Sequence, residues 1–430
     1  MVNLTEQHVQ SFEPAHASFS KYVSKGFPKW LLEGHNVAYD YFLQRGLPTL
    51  RDEEWKYTNV RFLANQNFGI AQQVNSKDVT DFSAGGVNIV FVNGVLWSEG
   101  LDASSLISGA RIRSLKEIAT TDESLLAKLV EAVKIDDWNP FSALNQAFLS
   151  EGVLIEVLEN QCVGRITVQH IFTDGAELSC FPKIFIHMKK NAEATLVERI
   201  SVEEQNGYFM SPFLSASLEP NARLSHQRFA QDGRAACHVS TEEVHIQRDA
   251  FFEYNGVFAG GKVSRHHITV HLDGPNAEAD LSGVTLASGE EHVDLHIAVN
   301  HNAPQSRSRQ LFKGVIDDKA RLVFDGKVRV AKGAVQSSAQ QLSKNLLLST
   351  DAEVDAKPQL EIDTDDVKCS HGSTVGQLDP DELFYLLSRG IPRTQATNML
   401  QHAFVAEVLD KISEPQIRGL AAELFKDVNL

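Results

Sequence analysis

Cysteine is scarce in this chain. Its 430 residues hold four, Cys162, Cys180, Cys237 and Cys369, and no two are spaced as a CxxC pair. Four dispersed thiols do not suggest a disulfide framework and suit a reducing compartment, where most cysteines serve as small buried hydrophobes. Long apolar runs are missing too. No stretch approaches the ~18 residues that a membrane span needs. In the first thirty residues His8, Glu13, His16 and Lys21 interrupt every run that could act as a leader. A cytoplasmic location is therefore expected. Positive charge is in deficit, with 40 Lys and Arg against 56 Asp and Glu and a net charge of −16. Such a surface repels phosphate backbones and anionic lipid, so neither nucleic acid nor membrane is an expected partner. The ordinary role of this charge is solubility.

Catalytic signatures are equally absent. There is no GxxxxGK[ST]; Gly260-Gly261-Lys262 is followed by Val263 and lacks the spacing that lets backbone amides cradle phosphate. No GxSxG elbow or HExxH occurs. These gaps weaken an enzyme reading for a chain long enough to form two or three domains.

What is present falls into three zones. Residues 1–150 are mixed and largely helical. Trp30, Val37, Ala38, Tyr41 and Phe42 place a helix over Lys29–Arg45, which Gly46-Leu47-Pro48-Thr49 stops. Asn93-Gly94 predicts a hairpin within Val87–Leu96, and Leu125, Leu126, Leu129 and Val130 predict a helix over Asp122–Val133. Residues 151–375 contain short β-forming runs and a recurrent phrase: Asn, Asp or Gly, then Ala, then polar–apolar alternation. It appears at Gly175-Ala176, Asn191-Ala192, Asn221-Ala222, Asp249-Ala250 and Asn276-Ala277, and more loosely at Lys319-Ala320 and Asp351-Ala352. Most intervals fall in the repeat range of solenoids, so a β-helix is favoured over a β-sandwich. Residues 376–430 read as three helices. Asp379-Pro380-Asp381-Glu382 starts the first, the second runs from about Thr394 to Ile412, and the third follows Pro415. They form either a cap on the solenoid or a docking surface.

Sixteen histidines are present. Those of the β zone, His226, His238, His245, His266, His267, His271, His292, His296 and His301, are expected as surface or satisfied core imidazoles. His267 and His271 share a strand face but stand two pleats apart, too far for easy chelation. Asp365-Asp366-Val367-Lys368-Cys369-Ser370-His371-Gly372 is different. On an extended strand Cys369 and His371 share a face, presenting outward a thiolate and an imidazole, the ligands that borderline metals prefer. Two ligands make half of a four-coordinate site, so the others must come from elsewhere in the chain, a substrate or another subunit. Asp363, Asp365 and Asp366 oppose thiol ionisation, which Lys368 or a bound metal must favour.

This segment, with the preceding Asp355-Ala356-Lys357-Pro358-Gln359-Leu360-Glu361-Ile362 and the following Thr374-Val375-Gly376 and Phe384-Tyr385-Leu386-Leu387-Ser388-Arg389-Gly390-Ile391, resembles the carboxy-terminal signature of the SufB/SufD family. Gly46-Leu47-Pro48-Thr49 and Glu54-Trp55-Lys56-Tyr57-Thr58 resemble its amino-terminal motif. The resemblance implies a right-handed parallel β-helix core flanked by a mixed amino-terminal region and a carboxy-terminal helical region. It implies a non-catalytic scaffold of iron–sulfur cluster assembly that binds no nucleotide, pairs with SufB and carries the SufC ATPase on helices 379–425. Asp379, Leu383, Phe384, Tyr385, Arg389 and Phe404 are the candidate contacts. It implies that Cys369 and His371 hold a transient iron–sulfur cluster or iron at the subunit interface. SufB-type members carry a His-Glu pair where this chain has His371-Gly372, which sets it apart from them. The alternatives are a SufB-like homodimeric scaffold, a transferase using Cys369 as nucleophile and His371 as base, and a carbohydrate-cleaving β-helix enzyme.

Overall fold

A computed structural model describes residues 12–23, 26–66, 69–71, 87–97, 108–131, 139–173, 178–202 and 207–425. Between Gly152 and Gln377 the chain winds as a parallel β-solenoid of about 7 turns. Successive strands alternate between two sheets, each joining parallel to the strand one coil before it. The strand Cys237–Ile246, for example, lies in register between Phe213–Leu218 and Val263–Leu272. Apolar residues on alternate positions turn into the lumen, where Leu196, Leu224, Phe252, Ile268, Leu295 and Phe324 belong to one continuous core. Each such side chain contributes roughly 1.5–3 kcal/mol by leaving water.

The repeated phrase is the corner of the coil. Asn191, Asn221, Asp249 and Asn276 all take a left-handed conformation with φ of 59–63°, which Asn and Asp tolerate better than other non-glycine residues. The alanine that follows each is buried, small enough to let the chain turn into the lumen. Side chains stack along this edge: Asn191 Nδ2 donates to Asn160 Oδ1 at 2.6 Å and Asn221 Nδ2 to Asn191 Oδ1 at 3.0 Å. Lys319-Ala320 and Asp351-Ala352 are looser copies because they lie at the other corner, where the chain leaves the first sheet for the second. Gly175-Ala176 lies outside the described residues.

The expected hairpin forms, with Asn93 and Gly94 at φ of 50° and 82°. It is not a separate amino-terminal element, however. Val87–Val92 pairs parallel with Cys162–Phe172 and places Val87, Ile89 and Phe91 in the lumen core. The solenoid thus recruits its first strand from within residues 1–150. Phe12, just before the helix Glu13–Val23, packs with Phe42 and Phe141 of the helices Lys29–Arg45 and Pro140–Ala147 against the outside of the second sheet at Phe185, Phe209 and Phe213. Leu125 and Leu126 lie on a helix over Glu123–Glu131; the last residues of the expected span are outside those described. Gly46, at φ 69°, ends Lys29–Arg45 by donating its N–H to Phe42 O at 2.7 Å. Next, Trp55 stacks under the Arg265 guanidinium at 3.9 Å, and Thr58 donates to Asp294 Oδ2, which also pairs with Arg265. The amino-terminal motif is a clamp on the solenoid wall.

At the other end, Asp379 caps the helix Pro380–Ser388 by accepting from Asp381 N at 2.8 Å. The helices Arg393–Leu409 and Pro415–Leu424 bury Val405, Val408, Leu409 and Ile417 against Phe229, Val257, Val284 and Val315 on the outside of the first sheet. Two of the three helices are therefore wall packing, while Pro380–Ser388 has no buried residue.

Candidate metal half-site at the open end

Cys369 and His371 lie on Val367–Gln377, the last strand of the first sheet, in register with Ala339 and Gln341. Ser308 precedes Ala339 and Gln310 precedes Gln341 in the same two columns, and both columns face the lumen. The two side chains therefore share a face, but it is the inner face rather than the outward one expected. It is open to solvent because Val367–Gln377 ends one sheet and Glu353–Ile362 ends the other. His371 is exposed; Cys369 is half-buried against Val328, Val330 and Ala339. Burial pushes the Cys369 thiol up, partly opposed by a hydrogen bond to the Ala339 backbone. Lys368, expected to favour the thiolate, occupies the alternate face in register with Ser338. A metal held through this sulfur would have to displace the thiol proton.

The lumen behind the half-site is polar in places. Gln341 Nε2 donates to Gln310 Oε1 at 3.1 Å. Deeper, Glu198, His226, Arg228 and Glu242 form a fully buried ion network. Glu198 Oε2 is 3.1 Å from His226 Nε2, and Arg228 pairs with both Glu198 and Glu242. Burial raises the Glu198 carboxyl, but Arg228 and the two histidines His170 and His226 outweigh it and hold Glu198 well below the usual range. Burial likewise lowers His226, yet Glu198 and Glu242 carry it up to about 9. Two carboxylates face two cations, which leaves no net charge for a metal to neutralise. A neighbouring group, Asp232, His238 and His266, is closed by Ser264, whose hydroxyl donates to Asp232 Oδ2 at 2.7 Å. His226, His238 and His266 are thus satisfied core imidazoles. Neither network was legible in sequence, because its members come from different coils and look like ordinary strand residues. The signal available was the coil period, which brings residues one repeat apart side by side.

Of the six candidate partner contacts, Asp379 is the helix cap and Leu383 is half-buried. Phe384 is 70% and Tyr385 56% exposed. Arg389 lies 5.1 Å over the Tyr385 ring and donates to its hydroxyl at 3.3 Å. Phe404 differs from the rest. It is half-buried against the wall cluster, and its carbonyl accepts from Lys313 Nζ at 2.8 Å. It anchors its helix and offers little surface to a partner.

Residues 170–404 match a family model described as the SufBD core domain of SUF-system FeS cluster assembly, and residues 3–169 match one for the SufBD amino-terminal region. The boundary between the two falls inside the strand Cys162–Phe172, consistent with a wall shared by both regions. The iron–sulfur cluster assembly protein SufD of Escherichia coli is 30% identical over 87% of this chain and 88% of its own length. An iron–sulfur cluster assembly SufBD family protein of Synechocystis is 30% identical over 87% of this chain and 85% of the relative. A chloroplastic protein of Arabidopsis thaliana, ABCI7, is 34% identical over 57% of this chain and 52% of its own.

Proposed function

This chain belongs to the SufB/SufD family of iron–sulfur cluster assembly proteins, and we propose that it is a SufD-type, non-catalytic cytoplasmic scaffold that pairs with SufB and carries the SufC ATPase. One observation carries the reading: a thiol and an imidazole share the inner face of the last coil, at an end of the solenoid that, among the described residues, no further strand covers. An uncovered strand offers a row of backbone donors and acceptors to a second chain. Ile362 and Val375, 42% and 48% exposed, lie on the same two terminal strands and favour burial there. A partner seated on this edge closes the lumen over Cys369 and His371 and supplies the remaining ligands for a nascent cluster, the cargo. Cys369 holds the metal through sulfur and releases its proton; His371 adds a nitrogen donor. The helix Pro380–Ser388, which has no fully buried residue and leaves Phe384 and Tyr385 exposed, suits an ATPase subunit. Among the described residues no helix is long and apolar enough to cross a membrane. A transferase that uses Cys369 is not favoured, because a thiol raised by burial is a poor nucleophile at neutral pH.

Cys369→Ala or His371→Ala is expected to lower the activity of cluster-dependent enzymes in cells that depend on this chain. Loss of a metal ligand should cost at least the roughly 10–100-fold seen when even a ligand's supporting partner is removed. Both variants should assemble normally, since neither residue is a large core side chain. Full maturation with both variants would refute the assignment.

A further inference from the structure

We infer that His245, His271 and Asp273 form a second metal site, for a single borderline divalent cation, on the outer wall of the second sheet. His245 and His271 stand in register on adjacent parallel strands, Cys237–Ile246 and Val263–Leu272. Both occupy positions that alternate with the lumen residues Val244, Ile246, Val270 and Leu272, so both face outward. Their rings lie 4.5 Å apart and nearly parallel, at 4°. Asp273 follows at the end of the strand and brings its carboxylate to the same spot, with Oδ2 2.8 Å from His245 Nδ1. One donor atom from each of the three lies within 4.8 Å of the others. Donors on a tetrahedral zinc are roughly 3.3 Å apart, so small rotations of these side chains complete the contact.

The surroundings fit a metal. Asn302 Nδ2 donates to Asp273 Oδ1 at 2.8 Å, fixing the carboxylate from behind, and Asn300 Nδ2 reaches His271 Nδ1 at 3.5 Å. Polar partners of this kind orient metal ligands. The two buried groups in the lumen lack this character: one contains the Arg228 guanidinium and the other is closed by serine hydroxyl. Two imidazoles and a carboxylate, half exposed, suit zinc or a similar borderline ion with water in the remaining position.

The test uses the untagged full chain carrying Cys369→Ser and His371→Ala, so that the half-site at the open end cannot contribute. After treatment with a chelator it is titrated calorimetrically with zinc alone. The expected result is about one tight equivalent per chain, lost on adding His245→Ala and His271→Ala, with unchanged thermal unfolding of the metal-free protein. Absence of binding in the parent, or the same stoichiometry in the double-histidine variant, would overturn the assignment. Because both arms lack the half-site at the open end, failure here leaves the scaffold reading untouched.

Discussion

Glu198→Ala is expected to destabilise the solenoid by about 3–5 kcal/mol, the usual cost of stranding a charge in a buried pair. Arg228 and His226 would then face Glu242 alone, fully buried and without the second carboxylate. Thermal or urea unfolding measures the loss, and a change below about 1 kcal/mol, typical of exposed pairs, would contradict the network. The same network sets a pH signature. His226 is raised from 6.5 to about 9 in the folded chain. A group raised on folding stabilises fully below its unfolded value, and this contribution fades as pH climbs through the folded one. Stability should therefore fall between about pH 7 and pH 9 in the wild type, and His226→Gln should flatten that slope.

Phe384→Ala combined with Tyr385→Ala should remove the ATPase subunit. Exposed aromatics on a helix with no fully buried residue are the side chains that carry interface energy, at about 2 kcal/mol or roughly 30-fold each. Neither ring contributes to a buried cluster, so thermal stability should not move. Deleting everything after residue 378 is a poorer test. It would also strip Val405, Val408 and Ile417 from the wall and expose Phe229, Val257 and Val284. Phe404→Ala should behave differently, lowering stability through lost wall packing. A pull-down that recovers the ATPase equally with the double aromatic variant would place the dock elsewhere.

Much of the fold was legible because the corners are local. An Asn or Asp that takes a left-handed turn and an Ala that fits the lumen are adjacent in sequence, so Asn191-Ala192 and Asn276-Ala277 announce their coils. The helical stops at Gly46 and the cap at Asp379 are local for the same reason. What depends on neighbouring coils was hidden. The face shared by Cys369 and His371 follows from strand alternation, but its direction is set by Ala339 and Ser308, one and two coils earlier. His271 was compared with His267 along one strand, whereas its true neighbour is His245 across the sheet. Trp55 marked the family without disclosing its partner, Arg265, which is distant in sequence.

The most direct test begins with this chain, SufB and SufC purified as one assembly and reconstituted anaerobically with ferrous iron and sulfide. Iron and acid-labile sulfide per assembly are then compared between wild type and a Cys369→Ala, His371→Ala variant of this chain alone. If a neighbouring subunit completes the shell at the open end, the variant assembly keeps its size and subunit ratio but loses its cluster. Equal iron and sulfide in both assemblies would contradict the account.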